Sequence, residues 1–130
     1  MKVDAKQKVL IAFYTEYQKD IPDMGIVNCE NMGISGDIFT HAIRKLVNEG
    51  YLTNITDGST DNELDYYTDE ALVTRDGIEY VENKMGIEKI LSAEEKVRKV
   101  IEVSGRWGII QLKDVGIKVL AEILKTSIGI

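Results

Sequence analysis

Histidine and cysteine, the usual ligands of transition metals and common catalytic residues, are scarce in this sequence, because it holds one histidine, His41, and one cysteine, Cys29. Two such residues cannot supply the ligands of a Cys/His zinc site. A Cys–His dyad would depend on a coincidence of folding, since Cys29 falls on a predicted turn and His41 on an exposed helix position. The common nucleotide-binding, hydrolase and metalloprotease motifs are absent. We therefore expect no catalytic residue, no metal and no cofactor, and predict that the protein is not an enzyme.

Carboxylates are concentrated in the stretch TDGSTDNELD, residues 56–65, and no Lys or Arg occurs between Lys45 and Arg75. A calcium-binding EF-hand needs a glycine at its sixth position and a glutamate at its twelfth, and no such register exists here. A solvated acidic loop is the preferred interpretation. A surface that attracts a basic protein partner stays open as the alternative.

Length and composition indicate one domain with a packed core, since 44% of the 130 residues are apolar. A single cysteine fits a reducing compartment, and no stretch approaches the roughly 20 apolar residues of a membrane span. We therefore expect a soluble, cytoplasmic protein without a membrane partner. Residues 1–86 hold 8 Lys and Arg against 16 Asp and Glu, whereas residues 87–130 hold 8 against 6. The first part is thus strongly acidic, which disfavours binding to nucleic acid.

The first part of the chain reads as a helix over about Asp4–Lys19, followed by a break at Asp20–Asp23. Its apolar stripe is predicted to leave Glu16 outside and to include Tyr17. A brief edge strand at Met24–Val27 and one helical turn around Cys29–Met32 are expected next.

The stretch from Ser35 to Lys84 is predicted to form the central part of the fold, with two helices and two short strands. Ser35 is predicted to cap a helix that ends at Gly50, and Thr74 to cap a second helix over about Arg75–Lys84. Short strands are expected at Tyr51–Leu52 and Ala71–Val73, on either side of the acidic loop. The first helix carries six apolar residues that are predicted to share one face: Ile38, Phe39, Ala42, Ile43, Leu46 and Val47.

In the C-terminal part, Ser92 and Glu95 match a capping box, although one helix that starts at Ile87 is an alternative. A last helix is predicted over Asp114–Thr126. These amphipathic helices either form a homodimer interface, which is our preferred prediction, or cover the core of their own domain. Trp107 is either an interface residue or a core residue. The candidate interface residues are Trp107, Val119, Ile123 and Leu124.

A helix that ends in Gly50-Tyr51-Leu52, a hairpin, and then Leu72-Val-Thr-Arg-Asp-Gly77 together resemble the winged-helix proteins. One residue separates Leu72 from Thr74 here, where the family pattern has none. The resemblance covers roughly residues 4–85 and is shared with MarR-like and PadR-like regulators. In size and layout the nearest group is the small YjcQ-like proteins of Bacilli-type genomes and their prophages. It implies an α+β fold, mainly α with a small β-hairpin: a winged helix-turn-helix domain (1–86) and a C-terminal helical extension (87–130).

The resemblance further implies that the helix after Ser35 is a recognition helix that enters the DNA major groove. Its candidate DNA-binding residues are Ser35, Thr40, His41, Arg44, Lys45 and Asn48. The alternative is that this is an ordinary solvated helix face. We predict a small dimeric transcriptional regulator that binds DNA. The alternative, which the acidic charge favours, is a protein-interaction module that uses the acidic loop of residues 56–65 as an acidic wing, or the C-terminal helices.

Overall fold

Five α-helices and a narrow antiparallel ribbon make up residues 3–104, the part of the chain that this computed structural model describes. The helices are α1 (Ala5–Tyr17), α2 (Cys29–Met32), α3 (Gly36–Asn48), α4 (Arg75–Met85) and α5 (Ala93–Ser104). The ribbon consists of β1 (Leu52–Thr53), β2 (Thr56–Asp57), β3 (Tyr66–Tyr67) and β4 (Leu72–Val73). The predicted class, mainly α with a small β-hairpin, is confirmed. Within residues 3–104, no helix has both the length and the apolar character needed to cross a membrane.

Helix α1 is surrounded by the rest of the fold. It begins with a capping box, in which the Asp4 carboxylate accepts a hydrogen bond from the Gln7 N–H and the Gln7 side chain accepts one from the Asp4 N–H. Every residue from Val9 to Glu16 is buried, because α3, α4, α5 and β4 all pack on this helix. The predicted one-sided stripe is therefore wrong: Glu16 lies in the core, and Tyr17 is 42% exposed.

The buried Glu16 carboxylate binds two residues of the segment that follows α1. It forms an ion pair with Lys19 Nζ at 2.9 Å and accepts a hydrogen bond from the Asp23 N–H at 2.8 Å. The segment Met24–Ile26 then forms a 3-10 turn, so the prediction of an edge strand there is wrong. The N–H groups of Ile26 and Val27 donate to the carbonyls of Asp23 and Met24 instead of to a neighbouring strand. The predicted helical turn at Cys29–Met32 is confirmed as α2.

A second buried carboxylate, Glu82, joins three helices. The Tyr14 hydroxyl of α1 donates a hydrogen bond to Glu82 Oε2 at 2.8 Å, and Lys96 Nζ of α5 lies 2.9 Å from the same oxygen. Burial, and then the hydrogen bond with Glu82, raise the pKa of the Tyr14 hydroxyl, so this group keeps its proton and acts as the donor. The side chains of α5 that enter the common core are Val97, Val100 and Ile101.

The start of α5 confirms the predicted capping box. The Ser92 Oγ accepts a hydrogen bond from the Glu95 N–H at 3.2 Å, and the Glu95 carboxylate accepts one from the Ser92 N–H at 3.4 Å. The alternative helix from Ile87 through Ser92 is therefore wrong. Ile90 is 90% exposed and does not join the apolar stripe of α5. The helix predicted at Asp114–Thr126 lies outside the described residues.

The ribbon is a pair of antiparallel strands with a break in the middle. Strand β1 pairs with β4, and β2 pairs with β3. Between the two pairs Asn54 adopts a left-handed backbone conformation, with φ of 61°, and its side-chain amide donates to the Glu70 carbonyl at 2.8 Å. The stretch predicted to be an acidic loop thus begins with one strand of a second pair, β2, whose partner β3 follows directly after it.

The junction of the ribbon with α4 depends on Thr74 and Gly77. Thr74 Oγ1 donates to the Gly50 carbonyl and accepts from the Gly77 N–H at 3.0 Å, which confirms the predicted N-cap. Gly50 itself has φ of 80° and ends α3 as predicted. A Cβ atom on Gly77 would overlap the carbonyl oxygen of Tyr51, so only glycine fits where α4 meets the end of α3.

Replacing Gly77 with alanine should therefore lower the free energy of unfolding by about 2 kcal/mol, because the backbone of Tyr51 must move to admit the new methyl group. Urea denaturation followed by circular dichroism measures this change. Gly36→Ala is the matched control, since a Cβ at Gly36 meets nothing within 4 Å. Equal stability of the two variants would contradict the close approach at Gly77.

Replacing Lys96 with methionine should lower the free energy of unfolding by about 3 kcal/mol, because Glu82 would lose the cation that offsets its burial. Lys96→Arg, which keeps the charge, is the control. In the double variant Lys96→Met with Glu82→Gln, the buried charge is gone as well, and we expect a smaller loss than the sum of the two single losses. Additive losses in urea denaturation would mean that the pair contributes nothing.

Candidate nucleic-acid interface

Helix α3 has one buried face and one exposed face. The buried face consists of Phe39, Ala42, Ile43 and Leu46. The prediction that Ile38 and Val47 share this face is wrong, since these side chains are 48% and 42% exposed. At about 100° per residue they lie on opposite flanks of the buried face, each about 90° from its centre. The outward surface of α3 is therefore polar along its middle and apolar at two edges.

Two of the predicted DNA-binding residues make hydrogen bonds within α3. Ser35 Oγ caps the helix by accepting from the Ile38 N–H at 3.2 Å. Thr40 Oγ1 donates to the Gly36 carbonyl at 2.7 Å. Both hydroxyls thus stabilise the first turns of the helix, and their main role in this structure is local.

The other four predicted residues lie together. His41, Arg44, Lys45 and Asn48, which we call the polar face of α3, are all exposed. With Val47 they line an open depression of about 590 Å³, and every residue that lines it comes from α3. Side chains of these types can donate hydrogen bonds to phosphate oxygens and base edges.

The two cations of the polar face are unpaired within the described part of the chain. Arg44 and Lys45 form no ion pair with any carboxylate of residues 3–104. The acidic residue that follows the helix, Glu49, is neutralised by Lys6 of α1, whose Nζ lies 2.6 Å from its Oε1. The hydrogen bond with Glu49 raises the pKa of Lys6, which keeps the lysine charged. Because Glu49 is paired with Lys6, it does not compete with a ligand for Arg44 and Lys45.

The distal end of the ribbon, residues 57–65, is an ordered acidic turn that we call the acidic tip. The Gly58 N–H donates to the Asp65 carbonyl at 2.9 Å, and the Thr60 N–H donates to the Glu63 carbonyl at 2.8 Å. Ser59 Oγ accepts from the Asp65 N–H at 2.9 Å. The carboxylates of the acidic tip are all exposed: Asp57, Asp61, Glu63 and Asp65.

The acidic tip lies close enough to α3 for their charges to interact. Hydrogen bonds from Ser59 lower the pKa of Asp57, and the positive charge of Arg44 lowers it further. The acidic tip would therefore compete with phosphate for Arg44. The charge of Arg44 thus couples the polar face of α3 to the ribbon.

Residues 3–104 contain no group of three or more His, Cys, Asp or Glu side chains that could hold a metal ion. Cys29 opens α2 and is half-buried, whereas His41 lies on the polar face of α3. The candidate interface residues Trp107, Val119, Ile123 and Leu124 lie outside the described residues.

Sequence reasoning missed three features of this region. Lys6 pairs with Glu49 from 43 positions away, which no local pattern predicts. The exposure of Ile38 and Val47 follows from helical geometry and could have been found by measuring each residue's angle from the centre of the buried face. The strand pair β2–β3, which leads to the acidic tip, could have been predicted from Thr56 and Tyr66, because both residue types favour strands.

Comparison with known proteins identifies no relative of this chain. No protein-family model, no curated protein and no solved structure matches it. Any function assigned to the protein therefore depends on the geometry and charge of α3 and of the ribbon.

Proposed function

We propose that this protein is a small winged-helix transcriptional regulator that binds double-stranded DNA through α3. The observation that carries the proposal is the polar face of α3, where Arg44 and Lys45 are exposed and unpaired within residues 3–104. The order of α1, α2, α3, ribbon and α4 supports it, since it resembles the order of elements in winged-helix proteins. On this proposal α3 is the recognition helix and the ribbon is the wing.

The polar face of α3 has suitable chemistry for the major groove. Arg and Lys donate to guanine O6 and N7, and Asn makes paired hydrogen bonds to adenine, so Arg44, Lys45 and Asn48 could read base edges. At 13 residues α3 is about 20 Å long, which spans the groove. The exposed Ile38 and Val47 flank this face and could contact thymine methyl groups.

The acidic tip opposes DNA binding, so the affinity of one α3 should be low. We propose that the protein acts as a cytoplasmic homodimer, in which two copies of α3 contact half-sites one helical turn apart, about 34 Å. A dimer doubles the number of cations that meet the duplex. It doubles the number of acidic tips as well, but the second α3 binds while it is held near its half-site, so two weak contacts together give a higher affinity than one.

Arg44→Ala and Lys45→Ala should each weaken binding to a labelled mixed-sequence duplex, because each removes a side chain that can bind a phosphate or a base edge. Fluorescence anisotropy across a salt series measures this, and the slope of log K against log salt should fall by about one for each phosphate that is no longer bound. Lys84→Ala is the matched control, since Lys84 is exposed and lies on α4.

Two results would count against DNA binding by α3. One is the absence of any binding by the unmodified protein at low salt and at about 10⁻⁵ M, the range of weak non-specific complexes. The other is an equal loss of affinity in the Lys84→Ala variant, which would mean that DNA binding depends on the total positive charge of the protein and not on α3.

Neutralising the acidic tip should strengthen DNA binding if the tip lies beside the duplex. In the variant Asp61→Asn, Glu63→Gln, Asp65→Asn, we expect about threefold tighter binding at low salt, and the gain should shrink as the salt rises toward about 0.1 M, where the Debye length falls to about 10 Å. Anisotropy with the same duplex gives both values.

The control for this variant neutralises three exposed carboxylates outside α3 and the ribbon: Asp20, Glu88 and Glu102. An equal gain in the control would show that net charge alone is responsible. No gain in either variant would mean that the acidic tip points away from the DNA.

A second candidate function is protein binding without DNA. One observation favours it: the acidic tip is ordered by its own hydrogen bonds, and its carboxylates form no ion pair within residues 3–104. Such a surface suits a basic partner.

A further inference from the structure

A groove of about 470 Å³ separates the acidic tip from α2 and α3. Phe39 of α3 and Leu64 and Tyr66 of the ribbon supply its apolar lining. Leu64 is 38% exposed and stands between the carboxylates of Glu63 and Asp65. The groove therefore combines an accessible apolar surface with a position beside the polar face of α3.

The rim of this groove is negative. Asp37 of α3 and Glu63 and Asp65 of the acidic tip line it, and no Lys, Arg or His of residues 3–104 does. None of these three carboxylates forms an ion pair with a cation of the described chain. Carboxylates from two elements thus face one space without a counter-charge from residues 3–104, and a positively charged occupant would lower their mutual repulsion.

The groove is formed before any partner binds. The backbone hydrogen bonds between Gly58 and Asp65 and between Thr60 and Glu63 hold the acidic tip in place. Pre-formed walls reduce the entropy that a binding partner must overcome.

We propose that this groove binds a basic segment of a partner protein, in which a lysine or arginine lies next to an apolar side chain. The proposal rests on the second candidate function, protein binding, and specifies the chemical character of the partner. The apolar side chain packs on Leu64 and Tyr66, while the cation lies between Asp37 and the carboxylates of the acidic tip. A volume near 470 Å³ accommodates a few side chains of an extended peptide.

Two other occupants fit the groove less well. Duplex DNA would bring phosphates toward three carboxylates, which repel them. A metal ion would need several ligands that converge on one point, and residues 3–104 contain no such group. A cationic and partly apolar peptide satisfies both parts of the lining.

The test uses fluorescein-labelled synthetic peptides and the full chain, with anisotropy as the readout. We expect a peptide of alternating lysine and leucine to bind more tightly than a lysine–glycine peptide of equal charge, and a glutamate–leucine peptide not to bind. Leu64→Ser should weaken binding of the lysine–leucine peptide about tenfold, which corresponds to burial of part of a leucine side chain, since 38% of Leu64 is exposed. Glu63→Gln with Asp65→Asn should weaken it and reduce its salt dependence.

The matched control is Asp20→Asn with Glu88→Gln, which removes two exposed charges elsewhere. The proposal is overturned if the lysine–leucine peptide does not bind at about 10⁻⁴ M, or if the control weakens its binding as much as the variants of the acidic tip do. It is also overturned if Leu64→Ser has no effect. Circular dichroism checks that each variant is folded, which is expected since Leu64 is partly exposed.

The same variants separate this inference from DNA binding. Leu64→Ser leaves the polar face of α3 intact, so any affinity for DNA should stay unchanged. Chemical shift changes in ¹⁵N spectra should fall on Cys29, Thr40 and Leu64 when the lysine–leucine peptide is added. Shifts confined to Arg44 and Lys45 would overturn the groove as the binding site. A failure to bind DNA would leave the expected peptide result unchanged.

Discussion

The buried carboxylate of Glu82 is the constraint on which the arrangement of the helices depends. A charged group in a core costs several kcal/mol unless it is paired and hydrogen-bonded. Tyr14 and Lys96 both bind the same oxygen of Glu82, so α1, α4 and α5 can occupy only positions that satisfy it. Helix α5 is thereby held to the core by a polar interaction as well as by its apolar side chains. Helix α3 in turn packs on α1, and its own buried residues form the face that meets the core.

Local signals in the sequence are sufficient for most helix ends. Ser35, Thr74 and Ser92 are predicted as caps and are caps, because a capping hydrogen bond involves residues only two or three positions apart. The glycine that ends α3 is also predictable, because the left-handed backbone conformation that ends a helix favours a residue without a Cβ atom. The polar face of α3 is predicted in part. Four of the six predicted residues lie together on it, whereas Ser35 and Thr40 make hydrogen bonds within the helix.

Features that depend on distant elements cannot be predicted in this way. The apolar pattern of α1 indicates one buried side, but the number of elements packed around a helix is a property of the whole fold, and Glu16 is buried as a result. Glu82 escapes prediction because its partners come from two other helices. A few apolar residues suggest a strand at Met24–Val27, but a strand also requires a neighbour to pair with. The winged-helix assignment and DNA binding stay predictions.

The groove and the polar face share one helix, and this has a thermodynamic consequence. Asp37 and Thr40 line the groove, while His41 and Arg44 lie within about two turns of them on the polar face. Ligands of opposite charge would therefore bind side by side on α3, and a cation in the groove would weaken the repulsion that phosphate meets. Because linkage is reciprocal, DNA would then raise the affinity for the basic partner by the same factor. Such a molecule would respond to the coincidence of two ligands more strongly than to either one alone.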